Sequence, residues 1–131
     1  MQIEVFTMCN SAQIYEGKMM ILGTCNQLAI EKMPTKCQQL MLAIRFACDP
    51  SEEAKKIPCS INVLDPNNKP MVQPISLDLG EPNVEAGMTS YNFCIDCSGL
   101  LFVEYGLYTI CVKVGKEEYT YRFNITKPIK Q

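Results

Sequence analysis

YTICVKVGKEEYTYRFNI, residues 108–125, carries the strongest structural signal in the chain. Large apolar residues recur at every second position in both halves of this stretch: Tyr108, Ile110, Val112 and Val114, then Tyr119, Tyr121, Phe123 and Ile125. A period of two places alternate side chains on opposite faces of an extended strand, one face packed and one wetter. Between the halves, Gly115 and Lys116 are suited to a turn. The stretch therefore predicts two strands joined by a tight turn.

The same alternation recurs in two other segments, residues 40–48 and 59–64. Less regular extended segments are expected at 3–9, 19–32, 71–79 and 88–97. Turn residues separate these segments, most clearly the Asp-Pro-Asn-Asn-Lys-Pro run at 65–70, where proline presets φ and asparagine tolerates positive φ. Only residues 51–56 resemble a helix, a short one that Ser51 caps and Pro58 ends.

Short strands at regular spacing with almost no helix are typical of an antiparallel β-sandwich. A single sheet of this size would leave apolar faces in water, so two packed sheets are expected. The chain has 131 residues, which suits one domain of the usual size, roughly 100–150 residues. We therefore predict one all-β domain over residues 1–131. It is expected to have seven to nine strands in a Greek-key, immunoglobulin-like or C2-like arrangement.

Composition excludes several kinds of site. The chain has no histidine, which removes Ser-His and Cys-His nucleophile pairs and every imidazole metal site. A net charge of −2 argues against a cationic nucleic-acid binder. The phosphate-binding glycine motifs are missing, and the adjacent acidic pairs Glu52-Glu53 and Glu117-Glu118 would face opposite ways on a strand. We expect a non-enzymatic protein without a cofactor.

Eight cysteines are present, and the sequence leaves three interpretations of them open. Most lie in apolar, strand-like runs, which favours free thiols that fill a core. Cys94-Ile95-Asp96-Cys97 is the only CxxC motif, so a thiol-based metal-binding or redox protein is an alternative. A strand over 88–97 would place Cys94 and Cys97 on opposite faces, which argues against a shared ion. A secreted, disulfide-stapled interaction domain is the second alternative.

The start of the chain does not resemble a signal peptide. No lysine or arginine precedes Lys18, and Glu4 interrupts the apolar residues. No apolar run approaches the roughly 18 residues of a membrane-spanning helix. These features predict a cytoplasmic protein that contacts neither membrane nor nucleic acid.

Two further features bear on packing and partners. Gly106 before Tyr108, at the start of a strand, predicts a structural tyrosine corner, in which the ring packs in the core and the hydroxyl binds upstream backbone. The segment 40–48 carries Met41, Ala43 and Ala47 on its wetter face, which is unusually apolar for a solvated sheet. We expect a partner chain to cover that face. The chain is therefore predicted to bind a protein partner or to self-associate into a homo-oligomer.

Three segments resemble a known family. They are VFTMCN-x-A at 5–12, GKMMILGT at 17–24 and the YGLY element at 105–108. Small bacterial β-sandwich proteins of unknown function share an N-terminus of the form FxLC…GKLxILGxF and a later YGxY element. This chain has methionine where that pattern has leucine, and Cys25 where it has an aromatic residue. The resemblance implies a bacterial cytoplasmic sandwich, and it implies no activity and no catalytic or binding residues.

Overall fold

The computed structural model describes residues 1–49, 57–77, 83–85 and 88–129, and within these ranges it contains strands and no helix. This confirms the all-β prediction; the short helix predicted near 51–56 lies outside the described residues. The strands are β1 (Gln2–Tyr15), β2 (Lys18–Cys25), β3 (Gln27–Ala29), β4 (Thr35–Lys36), β5 (Met41–Cys48), β6 (Cys59–Leu64), β7 (Ile75–Leu77), β8 (Asn83–Glu85), β9 (Met88–Asp96), β10 (Leu101–Phe102), β11 (Gly106–Val114) and β12 (Glu117–Thr126).

The strands form two five-stranded sheets and one small ladder. Sheet 1 has the order β2-β1-β5-β9-β8, and sheet 2 has the order β3-β12-β11-β6-β7. Strands β4 and β10 pair with each other. All pairings are antiparallel except that of β3 with β12. The predicted hairpin is β11–β12, in which Tyr108 lies opposite Phe123 and Val114 opposite Glu117.

The strand lengths explain which strands the sequence could reveal. The described ranges contain twelve strands where the sequence predicted seven to nine, and seven of them have six to fourteen residues. The other five in the described ranges have two or three residues. A strand of three residues is too short to show an alternating pattern, because it contains at most one full period.

The main core lies between the two sheets. Sheet 1 contributes Met8, Leu42, Ile44 and Phe46, and sheet 2 contributes Ile61, Ile110, Val112, Phe123 and Ile125, all at most 2% exposed. At one end, Tyr108 stacks on Phe123 with ring centroids 5.3 Å apart, and Phe102 meets Tyr108 edge-on at 5.3 Å. Offset and edge-on aromatic contacts add about 0.5–1.5 kcal/mol each to the gain from burial.

A hairpin extends from sheet 1 and folds back over it. Strand β5 pairs with β1 only as far as Cys9, so residues 10–24, which we call the flap, belong to a ladder of β1 and β2 alone. The carbonyl of Gly17 at the flap's tip accepts a hydrogen bond of 3.3 Å from the side chain of Asn92, in the middle of β9. The flap therefore lies across the outer face of sheet 1.

Two residues shape the bend at the base of the flap. The β1–β2 ladder omits a pairing between Asn10 and Gly23, and Gly23 has a φ of +68°. A Cβ atom on Gly23 would lie 2.6 Å from the side-chain nitrogen of Asn10. Only glycine combines that positive φ with so close an approach without strain.

The flap covers the outer face that the sequence assigned to a partner chain. Cys9 and Ala43 are fully buried beneath it, and Met19 and Ile21 of β2 pack against them. The prediction that a partner covers Ala43 is therefore wrong, because the chain folds its own hairpin over this face. The apolar pattern was a true sign of burial, but it carries no information about which segment provides the cover.

Candidate functional site

The structure separates the two cysteines of the CxxC motif. Cys94, within β9, packs with Ala43 and Cys9 beneath the flap. Cys97, just after β9, packs against the core between the sheets, and its amide donates a 2.8 Å hydrogen bond to the carbonyl of Leu40. The two thiols thus belong to different clusters on opposite faces of sheet 1. The metal-binding or redox alternative that joined Cys94 to Cys97 does not agree with this geometry.

Burial makes the thiols poor nucleophiles. It raises the pKa of Cys97 to about 11, with smaller contributions from Cys37 and Asp96. Burial likewise raises the pKa of Cys9, Cys25 and Cys94 above the ordinary value. These groups are therefore protonated at neutral pH, whereas a nucleophile or a metal ligand must be the thiolate. Among the described residues, no group of three or more Cys, Asp or Glu is placed to hold a metal ion.

The cysteines do not form the disulfide framework of the second alternative. Cysteines 9, 25, 37, 59, 94, 97 and 111 are all free thiols in the structure. Several of them, such as Cys9 and Cys59, are buried and occupy core positions. They act as small apolar side chains, which is the usual role of a buried free cysteine.

Gly106 and Tyr108 have the surroundings that a tyrosine corner requires. Tyr108 is fully buried, and its hydroxyl donates a 2.7 Å hydrogen bond to the carbonyl of Glu104, four residues upstream. Gly106 has a φ of +138°, and a Cβ atom there would lie 3.0 Å from the ring of Pro66. Glycine allows β11 to start in this conformation, directly beside the loop that follows β6. We therefore expect both residues to stabilise the fold.

The edges of the sheets differ in length. Three of the four outermost strands, β3, β7 and β8, have three residues each in the described ranges. The fourth, β2, has eight residues and a single charge, Lys18, at its first position. Short edge strands protect a sheet from pairing with another chain, and charged residues do so as well. Strand β2 is not short, and it has only one charged residue, so it has little protection of either kind.

The outward surface of the flap is apolar. Leu22 is 71% exposed, Tyr15 62% and Met20 51%. Leu22 and Met20 lie opposite Ser11 and Gln13, so they share the face of the flap that points away from sheet 1. An exposed leucine on its own needs no explanation, but a group of large apolar side chains on one exposed edge is typical of an interaction site.

A cavity of ≈ 290 Å³ opens between the sheets at the end where β9 terminates. Its walls are apolar side chains from both sheets, and the turn at residues 96–100 forms part of its rim. The sequence offered no signal for it, because its walls come from strands that are far apart along the chain. The apolar outward surface of the flap and this cavity are thus two places, within the described ranges, where a partner or ligand could bind.

These features define the protein as a β-sandwich domain with a long outer strand, β2, that exposes apolar side chains. The chain belongs to a family of unknown function, DUF6941, whose model matches residues 4–126. The predicted membership in a β-rich family of unknown function is therefore confirmed. No curated protein matches the sequence. Within the described ranges, no helix is long and apolar enough to cross a membrane.

Proposed function

We propose that this protein is a non-enzymatic assembly module and that copies of the chain associate through the exposed edge of β2. One observation carries the proposal: β2 is eight residues long, whereas the other three outer strands have three residues each within the part of the chain that the structure describes. A long edge strand presents a row of backbone N–H and C=O groups that a second strand can pair with.

A second copy of the same strand is a suitable partner. Two β2 strands that meet antiparallel about a twofold axis at Leu22 place Lys18 of each copy opposite Asn26 of the other. No like charges face each other in this arrangement, which removes the usual penalty of a self-paired edge. The same axis brings the Leu22 side chains of the two copies together. Apolar contact and backbone pairing would then stabilise one interface.

The non-enzymatic part of the proposal is supported by the chemistry of the available groups. The thiols of Cys9 and Cys97 have raised pKa values, chiefly because of burial, which disfavours nucleophilic catalysis. Glu117 at the start of β12 accepts a 2.6 Å hydrogen bond from the Tyr119 hydroxyl at the surface. Binding is the function that these surfaces can perform.

Free thiols also support the proposal of a cytoplasmic location. Cysteines such as Cys25 and Cys37, which are partly accessible and unbridged, persist most readily in a reducing compartment. In an oxidising one, accessible thiols would be expected to form bridges. The two proposals agree, since an intracellular assembly module needs no disulfides to remain folded.

Sedimentation velocity over a wide concentration range, together with light scattering, tests the assembly proposal. We expect the wild-type chain to form a dimer, and Leu22→Lys to shift it to a monomer, because a charge at the centre of the paired edge would be buried opposite its own copy. Val103→Lys is the matched control, since Val103 is 58% exposed and lies outside the flap. This variant should associate like the wild type.

Two results would overturn the proposal. One is a wild-type chain that stays monomeric at the highest concentration reached. The other is an oligomer that Leu22→Lys and Val103→Lys weaken equally, which would place the interface elsewhere. Circular dichroism of both variants checks that the sheets are intact, which is expected because both side chains are at the surface.

A further inference from the structure

The cavity between the sheets carries an inference that is independent of assembly. Its deepest walls are core side chains from both sheets, among them Leu42 of β5, Ile61 of β6 and Phe123 of β12. These residues are at most 2% exposed, so the cavity reaches the centre of the sandwich. Ile95 and Val72 are closer to the surface and line its outer part.

The volume of the cavity is larger than that of the voids that imperfect packing usually leaves in a protein core. Protein interiors are packed about as densely as organic crystals, and voids larger than a water molecule are few. At ≈ 290 Å³, this cavity could hold roughly ten non-hydrogen atoms, taking about 30 Å³ for each. That volume is close to the lower end of ligand sites, which begin at roughly 300 Å³. Its mostly apolar walls cannot hold ordered water well, since water needs several polar partners.

The rim of the cavity supplies one charge. Among the described residues that line it, Asp96 is the only charged one, and none is a lysine or an arginine. The amide of Ser98 donates a 2.8 Å hydrogen bond to the Asp96 carboxylate, which fixes the turn. Hydrogen bonds from Ser98 also lower the pKa of Asp96, so the carboxylate is ionised at neutral pH.

A second hollow adjoins the first and has the same sign of charge. The two share Val72, Gly99 and Leu100 as a common wall. The described residues that line the second hollow include Asp65 and no lysine or arginine. Both openings are therefore negative, and an anionic ligand such as a fatty acid would be repelled from them.

We propose that the cavity binds a small apolar molecule with an amine end, of about ten non-hydrogen atoms. Its hydrocarbon part would contact Leu42, Ile61 and Phe123, and its ammonium group would lie at the rim beside Asp96. Burial of the hydrocarbon supplies most of the affinity. The exposed carboxylate adds selectivity for a cation, of modest size because it faces water.

Three probes of equal chain length test the proposal: hexylamine, hexanol and hexanoate, each titrated into the isotope-labelled protein. We expect the amide signals of Ile95, Cys97 and Leu100 to shift in NMR spectra. Hexylamine should bind about threefold more tightly than hexanol, since an exposed charge pair contributes only modestly. Hexanoate should bind most weakly.

Two variants test the contribution of the Asp96 carboxylate to binding separately from that of the apolar cavity. Asp96→Asn keeps a side chain that can accept the Ser98 hydrogen bond, so the turn should remain. It should make hexylamine and hexanol bind equally while hexanol affinity stays at the wild-type level. Glu118→Gln, which removes a charge outside both hollows, should leave the preference for hexylamine unchanged.

The cavity itself is tested by filling it. Val63→Phe should abolish binding of all three probes, and Val72→Phe, nearer the surface, serves if the first variant does not fold. The inference is overturned if none of the probes binds the folded wild-type protein, if hexanoate binds most tightly, or if Asp96→Asn leaves the preference for hexylamine intact. None of these results depends on whether the chain forms a dimer, since Leu22 is not part of the cavity.

Discussion

Removal of a single oxygen atom from Tyr108 isolates the energetic contribution of the tyrosine corner. In Tyr108→Phe, the ring should keep its stacked contact with Phe123 and its edge-on contact with Phe102, both at 5.3 Å. What is lost is the 2.7 Å hydrogen bond to the carbonyl of Glu104. Because Tyr108 is fully buried, water cannot readily replace the hydroxyl.

The expected cost follows from those contacts. A net intramolecular hydrogen bond contributes about 0.5–1.5 kcal/mol, and an acceptor left unpaired by the substitution adds to the loss. We therefore expect Tyr108→Phe to lower the free energy of unfolding by about 1–2 kcal/mol. For a domain of this size, that corresponds to a fall of roughly 3–6 °C in the melting temperature. The measurement is urea unfolding followed by circular dichroism, with an unchanged slope against denaturant.

Tyr119→Phe is the matched control, because it deletes the same atom from a different environment. The Tyr119 hydroxyl donates a 2.6 Å hydrogen bond to the carboxylate of Glu117 at the surface. Water can hydrogen-bond to the Glu117 carboxylate once the hydroxyl is removed. We therefore expect the free energy of unfolding to change by less than about 0.5 kcal/mol. Equal losses in the two variants would refute the reasoning, since burial of the Tyr108 hydrogen bond would then be energetically irrelevant.

Three other substitutions probe the backbone, the thiols and the flap. Gly106→Ala should cost about 2 kcal/mol or more in urea unfolding, because φ is +138° and the added Cβ would lie 3.0 Å from Pro66; a loss below about 0.5 kcal/mol would contradict this. The pKa of Cys97 is raised from 9.0 to about 11, so the fold favours the neutral thiol. Its stabilising contribution is complete below pH 9 and is lost as the pH rises through 11, by up to about 3 kcal/mol. Cys97→Ala should flatten that decline, and an unchanged pH profile would count against the assignment. Ala43→Glu places a carboxylate beneath the flap, so hydrogen exchange should accelerate at residues 18–22 and stay slow in β11; unaltered exchange in the flap would show that it does not depend on this contact.

One of the segments that carry the family resemblance forms part of the flap. The GKMMILGT segment at residues 17–24 is the outer strand of the flap. Gly17 forms the tip and Gly23 the bend, so the two glycines of the motif serve the turn and the fold-back. The apolar residues between them divide into two sets. Ile21 faces sheet 1, whereas Leu22 faces away from it.

Much of the fold was readable from the order of residues alone. Alternation in segments such as 108–114 and 119–125 predicted strands, because the direction of each side chain in an extended chain depends only on its neighbours. Turn residues marked the ends of these strands for the same local reason. The opposite placement of Cys94 and Cys97, and with it the weakness of a CxxC metal site, also followed from this period of two.

Only the tertiary structure decided how those strands meet. Whether Ala43 is covered by a partner or by the chain's own flap depends on contacts between segments distant along the chain, and the same apolar residue satisfies either. The long edge at β2, with Leu22 exposed, and the cavity beside Asp96 arise from the order and spacing of the strands in the two sheets. Local preferences determine which side chains lie on each face of a strand. Which strands become neighbours depends instead on how much apolar surface all the strands bury together, and that is a property of the whole fold.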